Sequence, residues 1–267
     1  MADDEGLEGR QSPKDRHSSP AHVTGVGLDY WGDAFPSTHW SIVLDDPGEN
    51  SATQRMLERL CTRYWYPLYA YLRKRGYSTH DAQDYTQGFF SKMLEADGLA
   101  KVDRNRGRFR SYMIGAMNHF LSDERQKTKA LKRGGGRALI SIDEELAEER
   151  FKNEPADTLT PEILFDREWA LALLKDVYER LETEYAKLGK GEIFEVLGEF
   201  LTVKPEKGTY PKLALRLGVS PGNVRVMVTR IRSRYQSVLR ETIGETVSSP
   251  EEIESELGHL LSSFSAV

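Results

Sequence analysis

The stretch from residue 210 to residue 239 constrains the fold more than any other part of the chain. Leu213 and Leu217 lie at helical spacing, the sequence Gly-Val-Ser at positions 218–220 interrupts that pattern, and a second helical pattern begins at Pro221. Glycine suits the left-handed position that ends a helix, and a serine before a proline can cap the next helix. The stretch therefore predicts a helix-turn-helix.

The second helix of this motif has two chemically different faces. Residues at steps of three and four form an apolar face, and they are Val224, Met227, Val228, Ile231 and Tyr235. The other face carries Arg225, Arg230, Arg232 and Arg234, and no Asp or Glu occurs from residue 210 to residue 240. Such a surface attracts phosphates, which favours a recognition helix in the DNA major groove. The alternative is a basic helical hairpin whose arginines only keep a surface hydrated.

Charge is segregated along the chain. The net charge is −5 over 267 residues, but positions 101–137 and 212–240 are basic, whereas positions 143–168 are acidic. The local field governs an encounter with DNA more than the net charge does, so the negative total does not exclude nucleic acid. Long helical patterns dominate, and we expect an all-α fold.

The sequence divides into five segments. We predict a disordered tail at positions 1–34, a first helical domain at 35–137, an acidic linker with a short helix at 138–160, a second helical domain at 161–242, and an extension with one helix at 243–267. Within the first domain, a short helix ends near Leu44, and a longer one at 52–75 contains Pro67, which should bend or break it. Thr160 and Pro161 should start the long helix of the second domain.

Cysteine usage and hydropathy limit the function classes. One cysteine, Cys61, excludes an internal disulfide and a Cys-based zinc site, and its apolar helical context predicts a small core residue. No signal peptide or membrane span is visible, so we expect a cytoplasmic protein without a membrane partner.

A polar helix face near position 80 allows two interpretations. Its residues are Asp81, Gln83, Asp84 and Gln87. A surface for a partner protein is one interpretation, and a metal-dependent nuclease or phosphotransferase that uses Asp81, Asp84 and His80 is the other. The sequence has no glycine-rich phosphate loop, no nucleophile-plus-base arrangement and no metal-ligand spacing. We therefore expect no enzyme, no catalytic residue, no metal and no cofactor.

Three motifs in the same order resemble the sigma-70 family of bacterial RNA polymerase sigma factors. They are DAQDYTQGFF at 81–90, FRSYMIGAMNHFL at 109–121 and YPKLALRLGVSPGNVRVMVTRIRSRY at 210–235. The layout is similar to the extracytoplasmic-function (ECF) group, which keeps only regions 2 and 4. The resemblance covers roughly residues 35–241 and implies promoter-directed initiation of transcription.

The resemblance implies a role for each motif. Asp81, Gln83, Asp84 and Gln87 would dock on the β′ coiled coil of core RNA polymerase, whose β flap is the other expected contact. The −10 element would be melted and its flipped bases captured by Arg108, Arg110, Tyr112, Asn118, His119 and Arg125. The −35 element would be read by Asn223, Arg225, Val226, Thr229, Arg230 and Arg232.

The chain departs from the family pattern in several places. His119 stands where the family usually has Asn, so the −10 base preference is not carried over, and the linker and both tails exceed the common pattern. Control by an anti-sigma factor or a kinase is compatible with the sequence. The rival class is a conventional helix-turn-helix regulator whose N-terminal domain senses a ligand.

Overall fold

The structure of the chain is a computed structural model that describes residues 51–94, 108–130, 144–154 and 159–265. These residues form helices and connecting turns, without a strand in the described ranges, which confirms the all-α prediction. The helices are α1 (Ser51–Lys74), α2 (Thr79–Leu94), α3 (Phe109–Ala130), α4 (Glu144–Lys152), α5 (Pro161–Lys187), α6 (Gly191–Leu197), α7 (Thr209–Leu217), α8 (Pro221–Gly244) and α9 (Glu252–Ser262), with one 3₁₀ turn (Gly198–Phe200) after α6. The predicted tail, the helix ending near Leu44 and the basic segments at 97–107 and 131–137 lie outside the described residues.

Local sequence signals set several helix ends. Thr160 caps α5, since its hydroxyl accepts a hydrogen bond from the backbone N–H of Ile163, and Pro161 is the first helical residue, as predicted. Of the two predicted effects of Pro67, a bend or a break, the break does not occur, because α1 continues through that residue; the bend stays a prediction. Packing on several sides of α1 compensates for the one backbone hydrogen bond that a proline removes.

Helix α1 lies at the centre of the molecule. It packs against α2, α4 and α5, and from Leu60 to Leu72 nearly all of its side chains are buried, Cys61 included. The sequence pattern predicts one apolar stripe, but the buried surface extends around the helix. Burial on several sides is typical of a helix in the core of a protein rather than on its surface.

An ion-pair cluster joins α1 to the second half of the chain. The guanidinium of Arg63, on α1, is buried and pairs with Asp176 of α5 and, at 3.5 Å, with Glu245, which follows α8. Arg180 also reaches Glu245, at 2.8 Å. Because the charges of Arg63 and Glu245 are buried, each depends on its partners.

Helix α4, inside the predicted linker, is packed on the body of the molecule. Arg73 of α1 pairs with Glu148 at 2.9 Å, and Tyr69 donates its hydroxyl proton to the same carboxylate. Arg150 pairs with the buried Glu168 of α5 and lies 3.8 Å from the centre of the Tyr66 ring. Residues 144–154 are therefore held by α1 and α5 rather than extended between two bodies.

The helices of both predicted domains contribute to one unit that spans residues 36–267. Its core runs from Leu60 of α1 to Leu260 of α9. The division into domains at 35–137 and 161–242 stays a prediction.

We predict that Arg63→Ala strongly destabilises the fold. Removing one partner from a buried ion pair leaves the carboxylates of Asp176 and Glu245 undercompensated, and such losses cost about 3–5 kcal/mol. Arg59→Ala is the matched control, because Arg59 is exposed on the same helix and exposed substitutions change stability by about 0.5 kcal/mol or less. Urea titration followed by circular dichroism gives the free energy of unfolding. Equal effects of the two substitutions would contradict the prediction.

We predict that Glu168 makes the fold less stable as pH rises from about 5 to about 8. Burial of its carboxyl group raises the pKa from 4.5 to about 7, with Arg150 opposing the increase and Glu154 adding to it. The native state then binds a proton that the unfolded chain has already lost, so stability falls through this interval. Glu168→Gln should reduce that fall by about 1–3 kcal/mol.

The matched control is Glu162→Gln, an exposed carboxylate on the same helix. Urea titrations of the three proteins at several pH values give the comparison. Parallel stability curves for the original chain and Glu168→Gln would show that Glu168 does not titrate differently in the two states.

Candidate nucleic-acid interface

The turn between α7 and α8 has the geometry that its sequence predicts. Gly218 adopts φ 64°, in the left-handed region, and the N–H of Val219 donates to the carbonyl of Ala214 at 3.0 Å. The hydroxyl of Ser220 accepts from the N–H of Asn223 at 3.2 Å and so caps α8. Ala214, Val224, Val228 and Ile231 are buried, and Met227 and Tyr235 are partly buried against the same core. The predicted helix-turn-helix is therefore formed.

The first turns of α8 present a polar and basic outer face. Five of the six side chains predicted to read DNA are exposed there, and they are Asn223, Arg225, Val226, Thr229 and Arg230. The Arg225 guanidinium lies 5.5 Å from the centre of the Tyr210 ring, which holds the charge close to the start of α7. Thr229 donates its hydroxyl proton to the carbonyl of Arg225, and its oxygen can still accept a hydrogen bond.

The sixth residue, Arg232, has a structural position that the sequence did not predict. Its guanidinium donates to the backbone carbonyls of Phe200 and Val203, both at 2.7 Å. Arg234, two residues further along α8, pairs with Glu184 and Glu241. Its hydrogen bonds to Glu184 raise the pKa of its guanidinium above the usual value. The outward basic surface of α8 therefore ends near Arg230.

The residues predicted for the −10 element are dispersed over α3, and two of them are already in ion pairs. Arg110 is buried and contacts Glu256 of α9 at 2.7 Å and Asp166 of α5 at 3.0 Å. Arg108 contacts the other oxygen of Glu256 at 3.0 Å. Carboxylates from α5 and α9 occupy both guanidinium groups in this conformation, and contact of these two groups with DNA stays a prediction.

The other four residues of that group differ in exposure. His119, Asn118 and Arg125 are exposed, but Asn118 accepts hydrogen bonds from Arg75 and from the hydroxyl of Tyr71, and Arg125 donates to the hydroxyl of Tyr77 at 2.6 Å. Tyr112 is half-buried against Phe109, and burial raises the pKa of its hydroxyl. Of this predicted site, the outward part is therefore the face that carries Asn118, His119 and Arg125.

The polar face of α2 is smaller than predicted. Asp84 is exposed over 60% of its side chain and lies 3.4 Å from His80, while Asp81 is exposed and bonded to Ser78. Gln87 is half-buried. Gln83 is buried, as are Ala82 and Thr86 on the same helix, so its placement on the outward face is wrong. Asp81 and Asp84 are the residues of this face that a partner protein could reach.

Sequence reasoning missed the acidic partners of the basic residues. Glu256 is 146 residues from Arg110, and Asp166 is 56 residues away, so no local spacing connects them. One signal was present: Glu256 lies on the same side of α9 as Ile253 and Leu260, at helical spacing. A carboxylate inside an apolar stripe indicates a buried cationic partner.

Comparison with protein-family models, with curated proteins and with solved structures gave no match. Among the described helices, none combines the length and apolar character needed to cross a membrane. The described residues also contain no cluster of three or more His, Cys, Asp or Glu side chains that could hold a metal ion.

We predict different consequences for the arginines of the two halves of α8. Arg225→Ala or Arg230→Ala should weaken binding to duplex DNA several-fold and lower the slope of log affinity against log salt by about 1, because each removes one phosphate-accessible cation. Neither should change the free energy of unfolding by more than about 0.5 kcal/mol. Fluorescence anisotropy with a labelled duplex across a salt series measures the slope.

Arg234→Ala is the matched comparison on the same helix. It should reduce stability, because Glu184 and Glu241 lose their shared partner, and leave the salt slope nearly unchanged. If all three substitutions reduced the salt slope alike, the conclusion that the outward basic surface of α8 ends near Arg230 would be wrong.

Proposed function

We propose that the chain is a sigma factor of the sigma-70 family, similar to the ECF group, which binds core RNA polymerase and directs transcription from promoters with −35 and −10 elements. The order of the three motifs along the chain supports this function. The observation that carries it is the exposed basic start of α8, formed by Arg225 and Arg230 on a capped helix-turn-helix. On this proposal the protein is not an enzyme and acts in the cytoplasm.

Recognition of the −35 element would use the first turns of α8. A helix of this kind places the side chains near its N-terminus against base edges, which here are Asn223, Val226 and Thr229, with the arginines at phosphates or guanines. Each correct base contact contributes about 1–3 kcal/mol of discrimination. The exposed Val226 is suited to the methyl group of thymine.

Strand opening at the −10 element would use α3. Flipping a base costs a few kcal/mol, and stacking on an aromatic side chain returns about 1–3 kcal/mol per base. Tyr112 is half-buried and Arg108 and Arg110 are paired with carboxylates, so the chain alone is poorly prepared for this step. Core polymerase would have to supply much of the energy, and the isolated protein should bind promoter DNA weakly.

Binding to two promoter elements at once would require a rearrangement. In this proposal residues 35–137 act as region 2, residues 161–242 as region 4, and residues 138–160 as the linker. Ion pairs join Arg63 to Asp176 and Arg110 to Asp166 across this boundary, and α1 also packs its apolar and aromatic side chains on α5, with Tyr64 and Tyr71 against Phe165. Charged groups released into water or onto polymerase regain solvation, which offsets part of the cost of separation, while exposure of the apolar contacts between α1 and α5 opposes it.

A conventional helix-turn-helix regulator is the second candidate. The packing of α1 along α5 favours it, because a sensing domain would need a firm contact with the DNA-binding half. A regulator of this class binds duplex DNA without polymerase, usually as a dimer on palindromic sites. Weak binding in the absence of polymerase would therefore exclude it.

We predict that Asp84→Ala weakens assembly with core RNA polymerase, because it removes an exposed carboxylate of the α2 face. Glu182→Ala, an exposed position on α5 with the same charge change, is the control. Assembly is measured by size-exclusion chromatography, and function by in vitro transcription on genomic DNA with mapping of start sites. Specific start sites that depend on the chain, with fewer transcripts for Asp84→Ala alone, are the expected result.

Two outcomes would contradict the proposal. Absence of chain-dependent transcripts with core polymerase would reject the sigma-factor function. Tight, selective promoter binding and melting by the chain without polymerase would reject the proposal that core polymerase supplies much of the energy for strand opening.

A further inference from the structure

The segment after α8 covers the start of α3. Glu256 of α9 directs one carboxylate oxygen to Arg110 at 2.7 Å and the other to Arg108 at 3.0 Å, and its side chain is only 1% exposed. Arg108 also donates to the hydroxyl of Ser255 at 2.7 Å. The backbone carbonyl of Thr246 accepts from the N–H of Phe109 at 3.1 Å. A carboxylate, a hydroxyl and a carbonyl thus converge on the N-terminus of α3.

All three acceptor groups lie where a nucleic-acid backbone would bind. The N-terminus of a helix carries partial positive charge and N–H groups without helical partners, and it attracts anions. Two arginines at the same end strengthen this preference. In the present conformation the chain itself supplies the anion. The two carboxylate oxygens of Glu256 pair with the guanidinium groups of Arg108 and Arg110, where phosphate oxygens could bind instead.

We propose that residues 246–262 are an internal mimic of single-stranded DNA that closes the strand-opening site until DNA displaces α9. This inference rests on the proposed function, because it assigns the partner of α3 in that function. Displacement exchanges one anion for another on Arg108 and Arg110, so neither guanidinium is left uncompensated in the open state. Glu256 becomes hydrated when α9 leaves, which recovers the solvation that burial removed.

Helix α9 is attached by three buried side chains and by polar contacts of His259 with Asp166 at 2.9 Å and of Glu254 with Arg240 at 2.8 Å. Its buried side chains are Ile253, Glu256 and Leu260, whereas Leu261 is largely exposed. A helix of 11 residues has little stability without its packing partners, so detachment and loss of helical structure should occur together. Arg110 keeps Asp166 as a partner after release, whereas Arg108 loses both Glu256 and Ser255. Arg108 is therefore the group that release makes available.

The test uses the full chain and a fluorescein-labelled single-stranded oligonucleotide of mixed sequence. Glu256→Gln keeps the shape of the side chain but removes its charge, and should increase affinity about 5- to 50-fold, within the usual range of coupling between two binding events. Glu251→Gln is the matched control, because Glu251 is exposed next to the same helix. It removes the same charge without touching α3 and should change affinity less than about twofold. The double variant Arg108→Ala with Glu256→Gln should lose most of the gain.

A second readout requires no substitution at the contact. Adding the oligonucleotide to the original chain should accelerate amide hydrogen exchange at residues 249–262, since the helix detaches when DNA binds. Equal affinities for Glu256→Gln and Glu251→Gln, or DNA binding without faster exchange in α9, would overturn the proposal. Both readouts remain informative if Glu256→Gln lowers stability.

The two levels of inference fail in different assays. If the original chain directs transcription with core polymerase and Glu256→Gln still has no excess affinity, the internal mimic is wrong and the proposed function stands. If no variant binds the oligonucleotide and no transcripts depend on the chain, both are wrong.

Discussion

Burial of α1 on several sides is the constraint on which the rest of the structure depends. Its core face carries arginines and tyrosines among its apolar residues, and a buried polar group without a partner costs more than burial of the surrounding carbon returns. The partners come from distant parts of the chain: Glu148 of α4 for Arg73, Asp176 of α5 and Glu245 beyond α8 for Arg63. The buried arginines of α1 therefore obtain their carboxylate partners when the later helices pack around α1.

The same requirement divides the basic residues into two groups. Arg225 and Arg230 at the start of α8 are exposed among the described residues, whereas Arg232 and Arg234 attach α8 to the turn after α6 and to α5. Arg108 and Arg110 differ from both groups. They form ion pairs with Glu256 of the C-terminal extension and with Asp166 of α5. Positive charge that looks uniform in the sequence is paired within the structure in one place and exposed in another.

This arrangement connects the fold to the proposed function. On the proposed function the two halves separate when polymerase and promoter bind, and the charges of the ion pairs between them can then be solvated again or transferred to new partners. The contacts of Arg63, the contacts of α4 and the contact of Glu256 with α3 all have this character. A core of purely apolar contacts in the same places would hold the chain closed more permanently.

The sequence by itself determined the helices, their caps and the helix-turn-helix, because those depend on neighbouring residues: Thr160 and Ser220 at helix starts, Gly218 in the turn, and the apolar face of α8. It also placed Arg225, Arg230 and Asp84 on outward faces, since helical periodicity separates buried from exposed positions within one element. Only the tertiary structure decided the positions of Gln83, Arg110 and Arg232, and the continuity of α1 through Pro67. Their environment is made by residues far away in the chain, and no local pattern specifies which carboxylate, carbonyl or helix will meet them when the elements pack.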